Sequence, residues 1–155
     1  MMLNNLLKII KSENKNDKLD FQVLFACLLV RAARIDNEYL VSEKSQIDEI
    51  IQTKFRVSEL KAREIRKSGE ELESNTVDTV QITREIKKDV PFEYRIGLAE
   101  DLWSIILADT KRTDDENSFM RTCIKLIGVN DVDSAKARQA VLNRIKRHDN
   151  GKHSD

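Results

Sequence analysis

The stretch Phe21-Gln22-Val23-Leu24-Phe25-Ala26-Cys27-Leu28-Leu29-Val30-Arg31-Ala32-Ala33-Arg34-Ile35 is too apolar for a surface helix and too interrupted for a membrane span. Gln22, Arg31 and Arg34 break it before the roughly 18 apolar residues that a span needs. Apolar side chains on every face predict a helix from about Leu19 to Arg34 that is buried all round, at the centre of a bundle. A second helix of the same kind starts at Pro91, whose fixed backbone suits a helix start. It carries Phe92, Tyr94, Ile96, Leu98, Ala99, Leu102, Trp103, Ile106 and Leu107 towards Ala108.

Composition agrees with helices throughout. One Pro and four Gly in 155 residues leave little material for sheets and tight turns, and the length suits one domain with a real core. Lys plus Arg equals Asp plus Glu, so no overall charge draws the chain to nucleic acid or anionic lipid. The two cysteines, Cys27 and Cys123, lie in apolar stretches and read as reduced core thiols of a cytoplasmic protein.

Around the two central helices the sequence predicts an all-α bundle of about seven to eight helices. A short helix over about 3–11 and a polar connector form residues 1–18, the helical domain spans 19–147, and 148–155 is a tail with too little apolar material to order. Ser42 is the expected cap of the helix bearing Ile47, Ile50, Ile51 and Phe55. Ser58 starts the next, with Ser68-Gly69-Glu70-Glu71-Leu72-Glu73-Ser74-Asn75 read as its frayed end and a loop. Thr76 or Asp78 opens a helix that stops before Pro91. Gly128 stops the helix bearing Phe119, Met120, Cys123 and Ile124, and Asp133 is the expected cap of the last.

The halves resemble each other. An offset of 73 lays Asp36 on Asp109, Ala26 on Ala99, Leu29 on Leu102 and Glu43 on Glu116; two residues more lay Lys61-Ala62-Arg63 on Lys136-Ala137-Arg138. This order of elements is that of a duplicated helix–loop–helix with pseudo-twofold packing.

Each unit places an aspartate at the end of its central helix and a glutamate in the first turn of the next. Glu43 and Glu116 are explained by the positive helix N-terminus alone. Asp36 and Asp109 face the negative end of a helix and need a partner. Backbone amides of the turn could serve, with Lys111 and Arg112 lending charge to the second. The alternative is a shared divalent cation, calcium or magnesium by donor type, among Asp36, Glu38, Glu43, Asp109, Asp114, Asp115 and Glu116. An EF-hand is excluded, because neither loop has the central glycine or the alternating oxygen donors.

Catalytic chemistry finds no footing. His148 and His153 lie in the expected tail, the cysteines have no histidine nearby in sequence, and the glycines stand too far apart to cradle phosphate. The lysines read as solvated helix faces, with no stacking surface for nucleic acid.

Val30 to Glu38 with Glu43-Lys44 and Ile47-Asp48, and in the second half Ile82 to Lys87, Pro91 to Arg95, Leu102-Trp103, Ala108-Asp109, Glu116, Leu126 to Val129 and Asp133-Ser134 with Ala137 to Gln139, resemble the tellurite-resistance TerB-like family. The likeness covers about residues 21–145. Where the family usually has Asp-Gly this chain has Asp36-Asn37 and Asp109-Thr110, and Thr113 stands where a second acidic residue is common. The resemblance implies a helical, non-enzymatic domain of tellurite or general stress resistance. Its two acidic motifs, here Asp36, Glu38, Glu43, Asp109 and Glu116, would contact a metal ion or a basic partner. The open alternative is a structural or protein-interaction domain, as a homodimer or with another protein, having no metal site.

Overall fold

The computed structural model describes residues 17–35, 39–75, 78–108 and 114–153. Among the described residues there are seven helices and no strand: α1 Asp17–Ala33, α2 Val41–Phe55, α3 Glu59–Ser74, α4 Thr79–Asp89, α5 Phe92–Ala108, α6 Asp114–Leu126 and α7 Asp131–His153. The short helix expected over 3–11 lies outside the described residues.

α1 is the core that its girth predicts. Every residue from Val23 to Val30 is buried, as are Ala32 and Ala33. It packs on α2, α3, α4 and α5, and most closely on α3. That contact depends on Gly69, which lies inside α3 and not in the expected loop. A methyl group there would stand 2.7 Å from Ala26 Cβ and 2.9 Å from the Cys27 amide nitrogen. The glycine next to a serine resembles a stop signal, yet burial of Ile65 and Leu72 on either side holds the helix through it.

α5 is the second central helix, packed on α1 and α7, with Leu98, Ala99, Leu102, Ile105 and Ile106 buried. Its first turn emerges from the core, leaving Phe92 and Tyr94 exposed where the sequence counted them as apolar stripe. Arg95 covers the Phe92 ring at 5.3 Å and donates to the Ile127 carbonyl at 3.0 Å. Early in α1, Phe21 and Phe25 meet Phe55 from the end of α2 at centroid distances of 5.4–6.0 Å.

The caps divide into those legible in the sequence and those displaced. The Lys61 amide donates to Ser58 Oγ at 3.1 Å and the Val80 amide to Asp78 Oδ1 at 3.0 Å. Gly128 ends α6 at φ +81°, with the Val129 amide donating to Ile124 O and the Gly128 amide to Lys125 O. Ser42, however, is already inside α2, whose N-cap is Leu40. Asp133 is likewise inside α7, and its amide donates to the true cap, Asn130 Oδ1, at 2.8 Å. Ser58 therefore caps α3 whereas Asp133, its counterpart at the second offset, does not cap α7, and the correspondence between halves is partial: α2 packs extensively on α3, whereas α6 and α7 are not such a pair. α7 continues as helix to His153 and does not stop near Arg147.

α2 ends on Arg56 at φ 53° and ψ 50°, the left-handed region that favours glycine. Arg56→Gly is expected to stabilise the chain by about 0.5–1 kcal/mol, read as a higher urea midpoint, because relief of the backbone strain outweighs the extra freedom of the unfolded chain. An unchanged or lower midpoint would show that this residue is not strained.

Candidate binding site at the loop end of the bundle

The direction of the helices decides which end the acidic loops leave from. On α2, Lys54 Nζ pairs with Asp101 Oδ2 at 2.6 Å, and nearer the start of α2 Gln46 Nε2 donates to Ser104 O at 3.1 Å. α2 and α5 therefore run in opposite senses. Phe55, at the end of α2, meets Phe21 and Phe25 early in α1, while Tyr39, just before α2, lies under the Arg34 guanidinium at 4.9 Å. α2 thus opposes α1 as well. It follows that α1 and α5 run the same way and that Ala33 and Ala108 close them at one end of the bundle.

Of the five candidate ligands, Asp36, Glu38 and Asp109 lie outside the described residues. Glu43 and Glu116 occupy the first turns of α2 and α6, as the sequence predicts. Glu43 Oε1 accepts the Leu40 amide at 3.2 Å, so this carboxylate closes its own helix start. Glu116 is only 4 % exposed, whereas Asp114 and Asp115 beside it are exposed. Glu43 and Glu116 alone make no cation site: among the described residues no three His, Cys, Asp or Glu side chains come together to hold a metal.

Beside the first corner stands a charged cluster that the sequence does not announce. Arg66 of α3, 7 % exposed, donates through Nε to Asp48 Oδ1 of α2 and through Nη1 to Glu70 Oε1, both at 2.7 Å. The spacing of Arg66 and Glu70, one turn apart, is a visible signal; the pairing with Asp48 is not. The Tyr39 hydroxyl, beside the Arg66 guanidinium, is enclosed next to this cluster. Burial first, and then the Glu70 carboxylate, push it up to about 12. Its ring is flanked by Arg34 and by Lys44 at 5.1 Å. Arg34 also pairs with Glu73, which lies 3.6 Å from Arg31 Nε, and Arg31 donates to Thr79 Oγ1 at 2.7 Å. Opposite charges and a hydroxyl thus tie the end of α1 to α3 and α4, and α2 to α3.

Both thiols are buried, and burial pushes each up to about 12. That is the inert state of a core cysteine. Among the described residues no helix is long and apolar enough to cross a membrane.

What fold and corners define together is an all-helical domain with acidic residues at two helix–loop–helix bends. The sequence model of the family described as "Tellurite resistance protein TerB" matches residues 22–139, most of the chain. The chain belongs to the TerB family. No curated protein and no solved structure gives a significant match.

Proposed function

We propose that this TerB-family chain is a non-enzymatic binding domain of the cytoplasm, acting in the tellurite- or stress-resistance setting that the family implies. Its acidic corners, Asp36, Glu38 and Glu43 from one and Asp109 and Glu116 from the other, take a divalent cation or a basic partner. The observation that carries this reading is the common sense of α1 and α5, whose C-terminal ends face one end of the bundle. Corners that follow those ends are suited to present carboxylates to one ligand. Oxygen donors of this kind suit calcium or magnesium.

The test is titration of calcium, magnesium and manganese by calorimetry and thermal shift. Wild type is expected to bind saturably and to gain stability with ion concentration, and Asp36→Asn with Asp109→Asn to abolish both effects. Equal melting with and without ion removes the cation reading. A second reading, a structural or protein-interaction domain forming a homodimer or a complex with another protein, is favoured by Glu43, whose carboxylate is engaged on the Leu40 amide of its own helix. A stable dimer in sedimentation with no ion effect would establish it.

A further inference from the structure

The gap between α6 and α7 uses none of the acidic residues above. These helices are joined by only Ile127 to Asn130, yet α6 leans on α4 and α5, and α7 on α5. Between them lies a trough of about 320 Å³, partly open to solvent. Trp103 of α5 contributes to its lining, with Met120 and Arg121 from α6 and Asp131 and Arg138 from α7. The indole Nε1 donates to Ser134 Oγ at 3.3 Å, which fixes the ring, and the Arg138 guanidinium stands 5.7 Å from the ring centroid.

Two features point to a ligand. Among the described residues neither the exposed Arg121 nor the half-buried Arg138 pairs with a carboxylate, whereas half-buried Arg31 and Arg34 and buried Arg66 do. The trough therefore carries two uncompensated cations against Asp131 alone, on a chain whose charges cancel overall. Its composition, a tryptophan with arginines, is that of the residues that dominate protein interfaces.

We propose that this trough docks an acidic segment of a partner protein, with carboxylates on Arg121 and Arg138 and an apolar side chain on Trp103. The planar fork of each guanidinium can donate two hydrogen bonds to one carboxylate. An open trough favours a chain segment over a small ligand, which is usually enclosed over most of its surface. Asp131 repels an acidic residue from its own end and so fixes the direction of the segment.

Trp103 is the only tryptophan, so its fluorescence reports on the trough directly. The probe is an acetylated, amidated peptide of two leucines flanked by glutamates, added to the full chain. The expected result is a saturable change whose affinity falls several-fold from low to physiological salt. It should weaken by about tenfold or more in the Arg121→Glu, Arg138→Glu double variant, and remain in Asp36→Asn with Asp109→Asn. Circular-dichroism melts verify that the variants fold, and Arg121→Gln with Arg138→Gln replaces any charge reversal that does not. No saturable change, the same response to a peptide with lysines for glutamates, or unaltered affinity in the arginine variants overturns the proposal. So does a change that free glutamate or inorganic phosphate reproduces at the same concentration, because the site would then take small anions.

Discussion

Gly69→Ala is expected to lower the melting temperature by about 5 °C, although alanine is the better helix former by about 1 kcal/mol. The new methyl group would stand 2.7 Å from Ala26 Cβ and 2.9 Å from two backbone atoms of α1, distances that real carbon contacts do not reach. Backbone cannot swing aside as a lysine tip can, so α3 must move away from α1, the most extensive helix contact of the bundle. Overpacking of this kind costs about 1–3 kcal/mol, more than the propensity gain. Gly97→Ala is the internal control. Within 4 Å its methyl would meet only Lys54 Nζ, at 3.1 Å, the far end of a flexible chain. There the helix propensity should prevail and the melting temperature rise. If both substitutions move stability in the same direction, close approach at Gly69 is not what holds α1 and α3 together.

Arg66→Ala is expected to cost about 3 kcal/mol, read from the urea midpoint, because it leaves two carboxylates with no counter-charge in a largely enclosed place. Asp48 and Glu70 are only 15 % and 18 % exposed as side chains, and the Tyr39 hydroxyl beside them gives no positive charge. Asp48→Asn is expected to cost less, about 1 kcal/mol, since Glu70 still balances the guanidinium and the amide oxygen can still accept its hydrogen bond. Because the residues share one network, Asp48→Ala and Arg66→Ala together should cost less than the sum of the two alone. Additive losses would show that the guanidinium and Asp48 act independently.

These two sites also mark where the sequence is readable. The central helices are evident from the sequences of α1 and α5 alone, since an apolar girth of helical length, too interrupted to span a membrane, reads as a helix buried in a bundle. Ser58, Asp78 and Gly128 are readable for a local reason: each meets its partner within a few residues. Leu40 and Asn130 are not, because more than one polar residue nearby can cap and the packing of the helix chooses among them. Gly69 resembles a stop because the atoms that require it, those of Ala26 and Cys27, lie far away along the chain. The same distance in sequence hides the pairing of Asp48 with Arg66, while Glu43 and Glu116 are evident from helix position alone.

The placement of the two sulfurs ties chemical lifetime to folding. Neither thiol of Cys27 and Cys123 meets solvent, and neither ionises below about 12 while its surroundings are intact. An oxidant consumes thiolates and needs access to them, so damage at either position waits on a breathing motion that opens the helix packing around it. Its rate is then the frequency of that opening multiplied by the speed of attack. A substitution that loosens the interior shortens survival under oxidative load even where it leaves every surface group untouched.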